Sequence, residues 1–374
     1  MFRRPTARPD GRHRGRPRRT LLAVLVAAAV VFPVSAAASP QAPAPAPAVL
    51  GEGLSLPARY AAHLGNLAEA ARMAQDAGRT GRAGKLRAMA ADGAARFLAF
   101  DGRGEGRATE VFGDLESADR VTVLVPGSDT TLDTYQRFRA GAVALQQRLQ
   151  AEHSRSAVIA WLGYDTPGTV STTVLTTGRA DEAATELGSF LARLERMTVP
   201  DTRLSLLCHS YGSVVCARTE TGPKITDIAL FGSPGTGSGS VADLPTRARV
   251  WAGRGADDWI GGVPHMRLGG IGFGTDPVDP AFGAQPFAAG SGGHSDYLKP
   301  GTESLNSLAS IVLGTAPATP APRPASTTTT PARTPHRADV RPRTHSHPWA
   351  HNPIPIPIHT RTATTAPEAS RASA

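Results

Sequence analysis

The chain has 374 residues, a formal net charge of +9, 39 Gly, 32 Pro and 40% hydrophobic residues. At roughly 150 residues per domain this length allows about two domains, but the charge is uneven: residues 1–20 carry +7, residues 315–374 carry +5 and residues 21–314 a net of −3. A nucleic-acid-binding fold needs its basic surface on the folded part, so that reading loses its main support and no nucleic-acid partner is expected.

The N-terminus has an Arg-rich stretch, the apolar run Leu21–Val31 and the small-residue exit Val34-Ser35-Ala36-Ala37-Ala38-Ser39. An apolar run of about 11 residues is too short to span a bilayer, and Ala36-x-Ala38 fits a signal peptidase. Residues 1–38 are therefore read as a signal peptide, with an uncleaved anchor as the alternative. Arg18-Arg19-Thr20-Leu21-Leu22 matches the core of a twin-arginine signal, so either the Sec or the twin-arginine route is open. The expectation is a secreted protein, extracellular or cell-wall associated, with no transmembrane span after cleavage.

Gln41 to Val49 reads as Pro-Ala alternation, and residues 39–50 are taken as a stiff linker. Residues 315–374, rich in Thr, Pro, Arg and His, bury too little apolar surface to offset ordering entropy and read as a disordered tail. Its basic charge suits contact with the cell wall or another anionic polymer. His336, His345, His347, His351 and His359 could bind a metal, although a solvated tail without ligand is the plainer reading.

What remains, residues 51–314, is one domain with a helical lead-in over about 51–96. Tyr60, Leu64, Leu67 and Ala71 form one helical stripe; Gly78 to Gly84 is expected to break it before a second helix over Lys85 to Phe97. Phe97–Phe100 and Ala108–Phe112 read as an edge hairpin. The spacing then predicts strands over Val121–Val125, Ala157–Leu162, Leu204–Cys208, Ile225–Phe231 and Ala248–Trp251, and helices over Tyr135–Leu149, Gly178–Met197 and Glu303–Leu313. This alternation implies an α/β fold: a mostly parallel central sheet with helices on both faces and a ligand site beyond the carboxyl ends of its strands.

Cys208-His209-Ser210-Tyr211-Gly212 follows a strand and opens a helix, the setting of a nucleophile elbow. Cys208 stands where G-x-S-x-G has its first glycine, which relieves crowding between strand and helix. A small Cys is tolerable there. A serine hydroxyl needs a base and the base a carboxylate, both later in the chain in this fold. Gly253-Arg254-Gly255-Ala256-Asp257-Asp258-Trp259-Ile260 offers Asp258, followed directly by apolar residues and so the better placed for burial, with Asp257 as the alternative. Of the two later histidines in the domain, His265 and His294, His294 lies in a flexible loop before the last helix and is the expected base. The oxyanion donors are expected to be the backbone amides of Tyr211 and, after Pro126-Gly127, of Ser128.

Trp161 and Tyr164 follow a strand end and could wall an acyl pocket, or equally pack in the core. Cys208 and Cys216 could form a disulfide or remain two buried thiols. No His, Asp or Glu cluster of the fold has zinc-site spacing, so neither metal nor other cofactor is expected.

Phe97-Leu98-Ala99-Phe100-Asp101, Gly113-Asp114-Leu115-Glu116-Ser117-Ala118 and Val123-Leu124-Val125-Pro126-Gly127 resemble a family of actinobacterial α/β hydrolases of uncharacterised substrate. Trp161-Leu162-Gly163-Tyr164-Asp165-Thr166-Pro167, His209-Ser210-Tyr211-Gly212-Ser213 and Gly293-His294-Ser295-Asp296-Tyr297 are similar to it too, over about residues 95–313. The resemblance implies the α/β-hydrolase fold and a Ser-Asp-His triad, carried onto Ser210, Asp258 and His294. The expected activity is that of a serine hydrolase on a small-molecule or lipid acyl ester. Two alternatives stay open: acyl transfer by the same triad, or a secreted binding protein with a vestigial site.

Overall fold

The computed structural model describes residues 42–51, 53–91, 95–267 and 271–317. The expected signal peptide and all of the tail beyond residue 317 lie outside the described residues. Residues 42–50 carry no helix or strand. They do not hang free: Ala44 packs on the core beside Ala70 and Phe100, and the Asn66 side-chain amide donates to the Ala46 carbonyl at 2.8 Å.

Helix α1 spans Leu56–Asp76 and α2 spans Thr80–Ala90. Pro57 lies in the first turn of α1, where a missing N–H is harmless. Leu67 and Ala71 of the expected stripe are buried, with Ala70 and Ala74 beside them. The second helix starts earlier than its sequence suggests and runs through Gly81 and Gly84, then stops before Phe97, which begins a strand. Nothing lies near either glycine's missing side chain, so they cost the helix some propensity but break no packing.

Strands β1 (Phe97–Asp101), β2 (Arg107–Gly113), β3 (Arg120–Val125), β4 (Ser156–Leu162), β5 (Arg203–His209), β6 (Ile225–Phe231), β7 (Arg249–Gly253) and β8 (Gln285–Pro286) form one sheet in the order β1-β2-β4-β3-β5-β6-β7-β8. β2 pairs antiparallel with β1 and β4, and every other pairing is parallel. The two-residue β8 was not legible in the sequence. Helices α3 (Tyr135–Gln150), α4 (Gly178–Met197), α5 (Tyr211–Arg218) and α6 (Glu303–Leu313) cover the sheet.

The period of two in the strands divides the core. Val121, Val123 and Val125 of β3, with Leu204, Leu206 and Cys208 of β5, face α4 and α5. Leu124, Leu207, Ala229 and Phe231 face α3 and α6. Because both faces are covered, the central strands are mostly apolar on both sides rather than alternating with polar residues, with Thr122, Ser205 and Asp227 as buried exceptions. Helices α1 and α2 make a third cluster with β1 at the sheet's edge. Among the described residues, no helix is long and apolar enough to cross a membrane.

Candidate active site

Ser210 occupies the single residue between β5 and α5, with φ 52° and ψ −126°. A non-glycine residue with positive φ costs on the order of 1–3 kcal/mol and persists only where its surroundings fix it. Here the Ser210 amide donates to the Phe231 carbonyl at 2.9 Å, and the Ser213 hydroxyl donates to the Ser210 carbonyl at 2.6 Å. Gly212 lets the start of α5 settle against β3: a Cβ there would lie 2.6 Å from the Pro126 carbonyl oxygen and 2.7 Å from that of Val125. Cys208 and Cys216 are joined by a disulfide that ties the end of β5 to α5 across the turn. The residue replacing the elbow's first glycine is therefore half of a cross-link.

Three distant segments meet at the Ser210 hydroxyl. His294 Nε2 lies 2.9 Å from Ser210 Oγ, and His294 Nδ1 lies 2.9 Å from Asp258 Oδ1 and 3.1 Å from Oδ2. The Asp258 side chain is fully buried, whereas that of His294 keeps 15% of its surface open to solvent. An ionised carboxylate only accepts, so Nδ1 carries the imidazole proton and Nε2 of the neutral ring accepts from the serine. Asp258 also caps the short 3₁₀ turn Trp259–Gly262, taking the Ile260 amide on Oδ1 at 2.9 Å. Tyr297 completes its shell, donating to Oδ2 at 2.5 Å.

Burial alone would raise the Asp258 pKa, but hydrogen bonds from His294, Tyr297 and the Ile260 amide outweigh it and hold the carboxyl below its ordinary range. Behind the serine, His209 places its ring 4.8 Å from that of His294, and its Nε2 meets the His294 carbonyl oxygen at 2.7 Å. A carbonyl only accepts, so that nitrogen is protonated in the neutral tautomer. Burial, then the neighbouring His294, push the His209 pKa down to about 4.

On the other side of Ser210 runs Pro126-Gly127-Ser128-Asp129, the turn after β3. The Tyr164 hydroxyl donates to the Pro126 carbonyl at 2.7 Å, and the Asp129 amide donates to Pro167 at 3.1 Å. The Asp129 carboxylate takes both the amide and the hydroxyl of Thr169. Held at both ends, the turn keeps the Ser128 amide without an acceptor among the described residues. Tyr211 opens α5, and the first amides of a helix have no acceptor within it.

The other expected residues fall elsewhere. Asp257 is exposed and makes no bond to His294, because the turn that buries Asp258 sends its neighbour outward. His265 lies 3.5 Å from the Ser233 carbonyl and 3.7 Å from Asp276 and makes no hydrogen bond to Ser210. Trp161 and Tyr164 are buried and stacked on one another at 5.9 Å, and Phe190 of α4 stacks on Trp161 at 6.3 Å. Both belong to the core cluster between the sheet and α4–α5, and Tyr164 also supports the turn after β3 through the Pro126 carbonyl. Among the described residues, no three His, Cys, Asp or Glu side chains gather as for a metal.

Sequence reasoning missed His209 and Tyr297 as parts of this cluster. Their signal was position alone: one directly precedes the serine, and the other follows His294 by three residues.

Residues 101–268 match the model of an α/β hydrolase family, a span that includes Ser210 and Asp258 but ends before His294. An uncharacterised protein of Mycobacterium tuberculosis is 29% identical over 255 residues, covering 58% of this chain and 38% of that protein. An uncharacterised protein of Mycobacterium bovis is 33% identical over 135 residues, covering 33% of this chain and 50% of that one. The chain thus spans half or less of the length of these curated relatives. Among solved structures, the esterase LipW from Mycobacterium marinum aligns at 14% identity and TM-score 0.37, over 66% of this chain and 88% of its own. A serine hydrolase without lid from Xanthomonas campestris aligns at 16% identity and TM-score 0.36, over 60% and 97%. By its central sheet, the strand–turn–helix at Ser210 and the family match, the chain has the α/β-hydrolase fold.

Proposed function

We propose that the protein is an exported serine hydrolase that cleaves an ester or related acyl bond through Ser210, His294 and Asp258. The observation that carries this reading is the unbroken hydrogen-bonded line from Ser210 Oγ through both nitrogens of His294 to the buried Asp258 carboxylate. Such a line is what an otherwise weak hydroxyl nucleophile needs at neutral pH.

In the proposed reaction the Ser210 proton passes to His294 Nε2 as Oγ bonds to the acyl carbon. The carbonyl π electrons move onto oxygen, and the amides of Ser128 and Tyr211 receive the oxyanion. Asp258 holds the imidazolium. The tetrahedral species collapses, the bond to the leaving alcohol breaks, and the alcohol departs with the proton from His294. Water then gives a proton to His294 and attacks the acyl-serine, and a second collapse releases the carboxylic acid and restores the hydroxyl.

Export is supported by the charge and apolar pattern of residues 1–38 and by the Cys208–Cys216 disulfide, a cross-link favoured in oxidising compartments. The test of the catalytic reading is Ser210→Ala. Its kcat on short acyl esters is expected to fall by roughly four to six orders of magnitude with the melting temperature retained. A fluorophosphonate probe is expected to label wild type at Ser210 and to leave the variant unlabelled. Undiminished hydrolysis by folded Ser210→Ala would overturn the reading.

A further inference from the structure

We propose that Tyr297 is a positioning residue for the reaction at Ser210, its hydroxyl fixing the Asp258 carboxylate in the orientation that holds His294. The proposal rests on the hydrolase reading above.

The direction of the bonds follows from their partners. The Gly255 amide lies 3.0 Å from the Tyr297 hydroxyl and can only donate, so the phenol accepts there and its single proton goes to Asp258 Oδ2. One hydroxyl thus ties the carboxylate to the backbone of the turn that carries it. Oδ1 has its own pair of donors, the Ile260 amide and His294 Nδ1. Among the described residues, Oδ2 has only the phenol and the longer 3.1 Å approach of His294. Without the phenol, the carboxylate is free to turn about the Oδ1 contacts and the imidazole loses a fixed partner.

Tyr297 is itself held. It is buried, its ring lies 5.2 Å from Phe231 and 5.7 Å from His209, and its carbonyl accepts from the Ser304 hydroxyl at 2.8 Å, in the first turn of α6. Burial, then the bond to Asp258, raise its pKa, so it stays a donor throughout the working pH range. The other ionisable groups around the pair are His209 at the end of β5, Arg254 paired with Asp276, Asp296 paired with Lys299, and the exposed Asp257.

The phenol draws negative charge off Asp258; its removal leaves more charge facing the imidazolium. In Tyr297→Phe, kcat on p-nitrophenyl acetate is expected to fall about 10- to 100-fold with KM within about threefold, while the acid limb of kcat/KM moves to higher pH. In an Asp258→Asn background the same change is expected to cost nothing further. Replacing Tyr297 by 3-fluorotyrosine keeps ring and hydroxyl but strengthens the donor, and is expected to move the limb the opposite way. A Tyr297 that only supported folding would lower the melting temperature without either displacement.

NMR titration of the His294 ring follows the same displacement without turnover, so it decides the proposal even if wild type hydrolyses no ester. Absence of fluorophosphonate labelling in wild type would sink the hydrolase reading alone. An unmoved His294 titration in both variants would overturn the role of Tyr297.

Discussion

Gly127 faces Ser210 so closely that a Cβ built on it would lie 2.6 Å from the serine Cβ and 3.1 Å from Oγ. No rotamer of Ser210 relieves a contact with its own Cβ, so the backbone must give. Gly127→Ala is therefore expected to displace either the turn bearing the Ser128 amide or the strained serine. Under the hydrolase reading the Ser128 amide is an oxyanion donor, worth roughly 3 kcal/mol, so kcat should drop about two orders of magnitude or more. Steady-state kinetics beside a thermal melt would check this; full activity in Gly127→Ala would show that the close approach has no bearing on turnover.

Two adjacent aspartates allow a sharp comparison. Asp258 is buried on His294, whereas Asp257 is exposed, so Asp258→Asn should cost about four orders of magnitude in kcat by forcing the wrong imidazole tautomer. Asp257→Asn should stay within about twofold, as surface changes away from a site do. The reverse ranking would reassign the acid.

The Cys208–Cys216 bridge closes a loop with a sequence separation of 8. Loop-closure entropy for so short a loop gives about 2–3 kcal/mol of stabilisation. The Cys208→Ser/Cys216→Ser variant should melt at lower temperature than wild type and should no longer respond to dithiothreitol. Equal melting temperatures would mean that packing alone holds the elbow together.

His209 makes stability depend on pH. Its folded pKa of about 4 lies below the 6.5 of the unfolded side chain, so between these values the unfolded chain binds the proton and the folded one does not. Stability should be unaffected by this group above about pH 6.5, fall as pH drops toward 4, and level off below, a loss of roughly 3 kcal/mol in all. In His209→Gln, which keeps a side-chain N–H donor but does not titrate, chemical denaturation at pH 7 and pH 4.5 should show a smaller difference. An identical difference in the two proteins would place the titration elsewhere.

Much of the fold was legible because the central strands are runs of apolar residues separated by helical stretches. Gly178–Met197, Ile225–Phe231 and Glu303–Leu313 have the bounds that their hydrophobic pattern suggests. The α1–α2 boundary departs from its sequence pattern because Gly81 and Gly84 look like breakers locally, yet they lie where the helix meets nothing. β8 is two residues long and pairs at the sheet's edge, too short to leave a periodic signal. At the site, chain order and local turn chemistry point to Ser210, Asp258 and His294. The roles of His209 and Tyr297 depend on contacts between segments 85 and 39 residues apart, which no local pattern encodes. Trp161 stood at a strand end, but its side chain points into the sheet–helix core, a matter of face that the strand's end alone did not decide.

The segment before α6 carries both the imidazole that touches Ser210 and the phenol that touches Asp258, three positions apart. Any displacement of this short stretch would therefore act on the proton acceptor and on the carboxylate latch at once. Under the hydrolase reading, competence then depends on both residues being in place together. Ligands or solvents that unsettle residues 292–297 would change the fraction of competent molecules rather than the speed of each one.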